Sequence, residues 1–213
     1  MARAATGWQA AVVAAAAIAL AGCGSGARRP THTRYTVRAG DTLYSIAFRH
    51  GLDYHEVARA NGIGSDNRIQ VGQVLNLESR ATAAALPVTP APRWQWPADG
   101  TSGATVQQSA GGLGLEIEGA GGAEVRAAAA GKVVYSGAGL RGYGTLLILK
   151  HDEAWLTAYG YNRDVIVHEG EAVRAGQRIA TMGEGPGHRP ALYFEIRLNG
   201  RPVDPAGQLP SRR

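Results

Sequence analysis

The chain has 213 residues, enough for one or two small domains. Glycine contributes 30 residues and aromatic side chains only 7%, a balance that favours turns and strands over long helices and predicts a mainly β protein. Glycine and proline are spread through recognisable folding segments, which excludes wholesale disorder, and the formal charge of +5 suits an anionic partner.

The first 22 residues have the features of a cleaved signal peptide. Arg3 supplies a positive start, and the apolar run from Ala10 to Ala21 is too short to span a hydrocarbon core of about 30 Å. The run ends in Leu20-Ala21-Gly22-Cys23, which resembles the lipobox of bacterial lipoproteins, where cleavage precedes the cysteine and its thiol is acylated. We therefore predict lipidation of Cys23; the alternative is a free thiol in an alanine-rich helix.

Export and acylation restrict the partners that we expect. Cys23 is the single cysteine, so no internal disulfide can form, and several acyl chains would make a stable anchor. Gly24 stands where an Asp often retains such lipoproteins in the inner membrane, so we predict an outer-membrane protein that faces the periplasm. Nucleic acid is disfavoured as a partner, and anionic wall polymers or lipid headgroups suit the basic chain better; solvated arginines with no specific partner are the alternative.

A short tether, residues 23–33, precedes a compact unit at residues 34–78 with the predicted order β-α-α-β. Tyr35 and Val37 alternate as in a strand, and Leu43, Ile46 and Ala47 have helical spacing. The turn Gly40-Asp41-Thr42 is predicted to cap the first helix, and Asp53, three residues before Glu56, to cap the second. The helices are predicted to end at Gly51 and at Asn61-Gly62, and an alternating segment from Gln73 to Leu77 completes the unit.

This unit resembles a LysM module over its whole length. The matching segments are Tyr35-Thr36-Val37, Gly40-Asp41-Thr42-Leu43, Ile46-Ala47, Asn61-Gly62 and Val71-Gly72-Gln73. The resemblance implies binding of peptidoglycan N-acetylglucosamine in a shallow groove between two loops, at Gly40, Asp41, Thr42, Leu43, Ile69 and Val71. For Asp41 and Thr42, helix capping is the alternative role.

Residues 79–93 have the composition of a linker, because they are rich in alanine, threonine and proline. A semi-extended segment of this length reaches about 45 Å. We therefore expect the second domain, residues 94–213, to sample a wide volume around the first.

In that second domain, apolar strands alternate with glycine turns, which predicts an antiparallel all-β fold. The clearest predicted strands are Lys132 to Tyr135, Leu146 to Lys150, Trp155 to Tyr161 and Leu192 to Leu198. The predicted turns between strands are Gly142-Tyr143-Gly144, Asp152-Glu153 and Asn199-Gly200.

The domain resembles the lysostaphin-type (LytM) metallopeptidases over nearly its whole length. The match rests on Gly131-Lys132-Val133-Val134, Gly142-Tyr143-Gly144, Lys150-His151, Phe194-Glu195-Ile196-Arg197 and Val203-Asp204-Pro205. The resemblance implies a zinc site built from H-x-x-x-D, a Tyr-Ala-His segment and H-x-H.

This chain departs from that pattern at almost every site position. The first histidine falls on Gly112, the aspartate on Glu116, the histidine of Tyr-Ala-His on Tyr161, and the closing pair on Ala191 and Tyr193. Catalytic zinc usually needs three protein ligands and an open position. We therefore predict no catalytic residue, no metal and no cofactor; an active zinc endopeptidase is the alternative.

Two questions about these substituted positions stay open in the sequence. Tyr161 and Tyr193 either line a partner-binding groove, together with Gly112, Glu116 and Ala191, or they pack inward and fill the vacated pocket. His151, His168 and His188 are interpreted as loop histidines, and a relocated metal near His188 is the alternative.

Together, the predicted anchor, the LysM module and the degenerate LytM domain resemble a class of bacterial division lipoproteins. Such proteins activate periplasmic N-acetylmuramoyl-L-alanine amidases, which split septal peptidoglycan so that daughter cells separate. The resemblance implies a non-catalytic activator with two partners, peptidoglycan and an amidase. A passive peptidoglycan tether is the alternative function.

Overall fold

The structure is a computed structural model that describes residues 34–78, 89–108 and 111–212. The N-terminal module has the predicted order, with strands β1 (Arg34–Thr36) and β2 (Val74–Asn76) flanking helices α1 (Leu43–His50) and α2 (Tyr54–Ala60). The two strands pair antiparallel, with Tyr35 opposite Leu75. The predicted signal peptide, the lipidation site at Cys23 and most of the linker lie outside the described residues.

Local capping signals fix both helices of the module. The Thr42 hydroxyl caps α1 by accepting from the Ser45 backbone N–H, and the Ser45 hydroxyl accepts from the Thr42 backbone N–H. Gly51 ends the helix in a left-handed conformation. Asp53 caps α2 by accepting from the backbone N–H groups of His55 and Glu56. These caps confirm the predicted helix boundaries to within a residue.

Residues 101–203 form one ten-stranded, entirely antiparallel sheet. Its strands are β3 (Thr101–Gln107), β4 (Leu113–Glu118), β5 (Glu124–Arg126), β6 (Gly131–Gly137), β7 (Thr145–Lys150), β8 (Trp155–Val165), β9 (Ala172–Val173), β10 (Arg178–Glu184), β11 (Pro190–Leu198) and β12 (Arg201–Val203). Strands β4, β11, β8, β7 and β6 lie side by side in that order. The all-β prediction and all four predicted strands are thereby confirmed.

Two layers of apolar side chains cover the two faces of this sheet. One layer includes Leu115, Ile117, Leu192, Phe194 and Ile196, all essentially inaccessible to solvent. The other layer contains tyrosines from β6, β8, β11 and the loop before β7, and it also includes Phe48 of the LysM-like module. No helix in the described parts of the chain is long and apolar enough to cross a membrane.

The N-terminal module packs directly on the β domain. Arg197 Nη1 donates to the Phe48 carbonyl at 2.7 Å, and the Arg197 guanidinium lies 3.4 Å from the centre of the Phe48 ring. Tyr54 Oη donates to Glu153 Oε2 at 2.8 Å. Thr31–Arg213 therefore forms one compact unit, and the expectation of a β domain that samples a wide volume is wrong.

A tight hairpin turn completes this contact. Asn199 and Gly200, between β11 and β12, both have positive φ, at 50° and 73°, as a two-residue type I′ turn requires. A Cβ at Gly200 would collide with the Leu52 carbonyl oxygen and the Asp53 backbone nitrogen. Glycine is needed here both for its backbone conformation and for the close approach of the module.

We predict that Gly200→Ala loosens the module from the β domain. A left-handed alanine costs about 1–2 kcal/mol, and the collision with Leu52 adds to that cost. The expected results are a lower unfolding temperature and faster protease cleavage between residues 79 and 93. Gly207→Ala is the matched control, because a Cβ at Gly207 meets no atom within 4 Å; equal cleavage of the two variants would contradict the prediction.

Candidate functional site

The positions that correspond to the peptidase motif lie on one face of three adjacent strands. In the register of β4 and β11, Tyr193 is opposite Glu116 and Ala191 is opposite Glu118. On the other side of β11, Tyr193 is opposite Gly160 of β8. The structure thus brings four predicted residues, Glu116, Tyr161, Ala191 and Tyr193, to one area, with Gly112 just before β4 beside them.

The Tyr193 ring occupies the space above β4 and is fully buried. A Cβ at Gly114 would overlap the Tyr193 ring, and a Cβ at Gly160 would lie 3.3 Å from the Tyr193 Cβ. The two glycines on the neighbouring strands therefore leave the volume that this side chain fills. Tyr193 acts as a packing residue, with its hydroxyl directed inward.

A cluster of three tyrosines surrounds this position. Tyr193 contacts Tyr143 edge to face at 5.4 Å and Tyr161 at 5.9 Å between ring centres, geometries that aromatic pairs prefer. Burial raises the pKa of Tyr143 and of Tyr193, and the nearby Glu195 carboxylate raises both further. These phenols stay protonated at neutral pH, so they act only as neutral hydrogen-bonding groups.

The space beside Gly112 is also filled. A Cβ at Gly112 would lie 2.5 Å from both Glu195 Oε2 and Tyr143 Oη, and 3.0 Å from Tyr193 Oη. The volume that a side chain at this position would need is thus occupied by the polar ends of Glu195, Tyr143 and Tyr193. Substitution of Gly112 by any larger residue requires those side chains to move.

A buried ion pair lies beneath the tyrosines. Tyr193 Oη donates to Glu195 Oε2 at 2.8 Å, and Arg197 Nε donates to Glu195 Oε1 at 2.5 Å. Burial raises the pKa of Glu195, while Arg197 and the Tyr193 hydroxyl oppose that rise. Both residues belong to the Phe-Glu-Ile-Arg segment of the family resemblance, but the sequence analysis gave them no role in the site. Because side chains alternate along a strand, their spacing of two and four residues from Tyr193 indicates that they lie on the same face of β11.

Tyr161 lies at a bulge in β8 and has an unusual backbone. Its φ is 62°, in the left-handed region that non-glycine residues rarely adopt. The pairing of β7 with β8 shifts register at this point, between Leu147–Tyr159 and Thr145–Asn162. The bulge turns the Tyr161 side chain toward Tyr193, and Gln108 Nε2 donates to its hydroxyl at 2.6 Å. Burial raises the pKa of Tyr161.

Above this filled interior lies an ion-pair cluster that the sequence did not identify. Arg189 Nη1 lies 2.7 Å from Glu118 Oε1, and Arg189 Nη2 lies 3.8 Å from Glu116 Oε1. The side chains of Arg189 and Glu118 are 63% and 46% exposed, whereas that of Glu116 is only 14% exposed. We call Glu116, Glu118 and Arg189 the charged rim.

The predicted groove must be corrected for most of its residues. Gly112, Ala191 and Tyr193 are buried, and Tyr161 is only 8% exposed, so these four do not line an open groove. The alternative, in which the tyrosines pack inward, agrees with the structure because the flanking glycines make room for their rings. Of the five predicted residues, only Glu116 is part of the charged rim.

The other histidines of the domain have separate surroundings. His151 Nδ1 lies 2.8 Å from the Ala130 carbonyl and Nε2 lies 2.8 Å from Thr157 Oγ1, and burial lowers the pKa of this imidazole. His188 is exposed and pairs with Glu184 at 3.1 Å. Within residues 34–78, 89–108 and 111–212, no three His, Cys, Asp or Glu side chains are grouped as metal ligands.

In the LysM-like module, the predicted wall-binding residues differ in what they can contact. Thr42 caps α1 and Leu43 is fully buried, so the structure gives both a folding role. Asp41 accepts from Tyr35 Oη at 2.7 Å and from Arg49 at 3.3 Å. Gly40 and Val71 are exposed, Val71 by 72%, and Ile69 is half-buried. Sugar contact by these residues stays a prediction.

Comparisons with known proteins agree with this division of the chain. The family models for the LysM domain and for peptidase family M23 match residues 35–78 and 111–205. A crystal structure from Pseudomonas aeruginosa assigned to peptidase family M23 has a TM-score of 0.50 at 24% identity, and the match covers 56% of this chain and 51% of that one. That likeness concerns the fold.

Several curated relatives match the chain over most of its length. The chain is 39% identical to a Pseudomonas aeruginosa protein named lipoprotein NlpD/LppB homolog, over 85% of this chain and 78% of that one. It is 37% identical to the Escherichia coli lipoprotein YgeR, over 90% and 88%. It is 31% identical to the Escherichia coli murein hydrolase activator NlpD, over 84% and 68%.

We predict that Tyr193→Phe destabilises the β domain. The substitution removes the hydroxyl that donates to the buried Glu195 carboxylate, and an unsatisfied buried acceptor costs about 1–3 kcal/mol. The free energy of unfolding, measured by urea denaturation, should fall by that amount. Tyr161→Phe is the control, because its hydroxyl is nearer the surface; a loss as large as that of Tyr193→Phe would argue against the buried network.

Proposed function

Because this chain belongs to the NlpD/LppB family of bacterial lipoproteins, we propose that it is a non-catalytic activator of a murein hydrolase. Its partner would be a periplasmic N-acetylmuramoyl-L-alanine amidase that splits septal peptidoglycan during cell division. The relatives named as lipoproteins and as a murein hydrolase activator support this proposal. The LysM domain provides the contact with peptidoglycan.

One observation carries the non-catalytic part of the proposal: the Tyr193 side chain and the Glu195–Arg197 pair fill the interior of the peptidase-like site. The motif residues do not fit a zinc ion. Only Glu116 among them carries a carboxylate, and it pairs with Arg189, whereas catalytic zinc usually has three protein ligands and an open position. Neutral phenols with raised pKa values do not replace histidine as ligands.

Because the interior of the site is filled, a partner protein can contact only the surface above it. The charged rim is accessible through Arg189 and Glu118. Burial raises the pKa of Tyr161, and the Glu116 carboxylate of the rim is close enough to raise it further; the Tyr161 hydroxyl accepts from Gln108. We propose that the amidase docks on the charged rim and the half-buried Gln108, while Gly112, Tyr161, Ala191 and Tyr193 shape the surface from below. To activate, the protein must bind the open form of the amidase more tightly than the closed form.

The predicted location fits this role. An acylated Cys23, which precedes the described residues, would hold the protein on the outer membrane facing the periplasm. Relatives named as lipoproteins, one of them an outer membrane antigenic lipoprotein from Histophilus somni, support this placement. The anchor, the wall-binding module and the amidase-binding surface would then all act in the periplasm, next to the outer membrane.

We predict that Arg189→Glu reduces amidase activation about tenfold or more. The reversal places a third carboxylate beside Glu116 and Glu118 and inverts the local charge, and like charges across an interface cost several kcal/mol. The side chain is 63% exposed, so the fold should tolerate the change. The measurement is release of dye from labelled peptidoglycan by a purified amidase with and without this protein.

Arg201→Glu is the matched control, since Arg201 is an exposed arginine on β12. It should activate as the parent protein does, and both variants should sediment equally with purified peptidoglycan. Full activation by Arg189→Glu would exclude the charged rim as the docking surface. If the parent protein leaves amidase turnover unchanged, the passive tether replaces the proposed function.

A further inference from the structure

A cleft of about 910 Å³ separates the LysM-like module from the β domain. One wall consists of β1, the turn at Gly40–Asp41 and the last residues of α1; the other consists of the end of β6 and the loop that reaches Tyr143. Ile69 and Val71 are not among its lining residues. The cleft therefore shares the Gly40–Asp41 turn with the sugar groove that the LysM resemblance implies, but it extends from that turn toward the β domain and away from the second groove loop.

The cleft has an excess of positive charge. Arg34, Arg38 and Arg49 line it from the module, and Arg141 lines it from the β domain. Asp41 is the single acidic side chain among the lining residues. Because Asp41 already pairs with Arg49 at 3.3 Å, the other three guanidinium groups stay uncompensated within the cleft, and all three side chains belong to exposed residues.

Hydrogen bonds hold the walls in place before any ligand arrives. Arg49 Nη1 donates to Tyr35 Oη at 2.6 Å, and Tyr35 Oη donates to Asp41 Oδ2 at 2.7 Å. Arg49 Nη2 also reaches the Gly139 carbonyl of the opposite wall at 3.4 Å. On that wall, Gly139 N donates to Tyr135 Oη at 3.1 Å. A cleft built in this way loses little entropy on binding.

The lining also offers an aromatic surface. The guanidinium groups of Arg38 and Arg49 lie 5.9 and 5.4 Å from the centre of the Tyr35 ring. Rings of this kind pack against the apolar faces of sugars and peptides, while guanidinium groups bind carboxylates in a bidentate manner. The combination suits a ligand that carries several carboxylates on a compact body.

We propose that this cleft binds an anionic peptidoglycan fragment, with the carboxylates of its stem peptide held by Arg34, Arg38 and Arg141. The volume is in the range of a small-molecule site. A wall-binding module forms one side of the cleft, which favours peptidoglycan over an acidic protein segment. The inference rests on the proposed wall-binding role and adds a second site to it, at which one ligand bridges both domains.

The test measures binding by isothermal titration calorimetry with the purified full-length protein and three probes. The probes are a GlcNAc–MurNAc tetrapeptide, a neutral N-acetylglucosamine tetramer and an acidic peptide of glutamates. Arg34→Gln and Arg141→Gln, one from each wall, should each weaken tetrapeptide binding several-fold, and the double variant about tenfold or more. Neutral glycan binding should stay unchanged in all variants.

Arg174→Gln combined with Arg201→Gln is the control, because both arginines are exposed and lie outside the cleft. Tetrapeptide affinity should also fall as NaCl rises from 50 to 500 mM. Unchanged affinity in the double variant, an effect of Arg34→Gln alone, or no tetrapeptide binding would overturn the inference. Equal binding of the glutamate peptide would overturn it in favour of an acidic protein partner.

These outcomes separate this inference from the function on which it rests. If the parent protein does not bind the neutral glycan, the proposed wall-binding role itself is contradicted. Intact glycan binding and intact amidase activation, with unchanged tetrapeptide affinity in the variants, would remove only the cleft as a second site.

Discussion

The ion pair between Glu195 and Arg197 is the interaction on which the rest of the structure depends. Both side chains are inaccessible to solvent, so each charge needs partners inside the protein. Glu195 receives the Tyr193 hydroxyl, and Arg197 reaches the Phe48 carbonyl of the LysM-like module. One buried polar group thereby joins the filled peptidase-like site to the LysM-like module, and removal of either charged side chain leaves the other buried without its counter-ion.

This arrangement explains why a peptidase fold can support a different function. The position at which the family resemblance places a histidine contains the buried Tyr193, and the glycines at 114 and 160 leave room for its ring. The surface above Tyr193 then does not have to bind a substrate for cleavage. A charged rim with Arg189 at its centre can serve protein recognition, in agreement with the activator name of a relative.

The sequence predicted what local chemistry determines. The Thr42 and Asp53 caps, the left-handed Gly51 and the Asn199-Gly200 turn each act within a few residues, and the structure has all of them. The packing of the two domains could not be predicted, because Phe48 and Arg197 are 149 residues apart and linker composition does not reveal an interface. The inward packing of Tyr193 depends on glycines of two other strands, so it required the register of the sheet.

The most direct test of the central claim combines metal analysis and amidase stimulation on one preparation. The purified protein is incubated with excess zinc, freed of unbound metal and analysed by mass spectrometry for zinc per chain, and the same sample is assayed with and without an amidase. The account predicts no stoichiometric zinc, no wall cleavage by the protein alone and strong stimulation of the amidase. One zinc per chain together with wall cleavage in the absence of the amidase would contradict it.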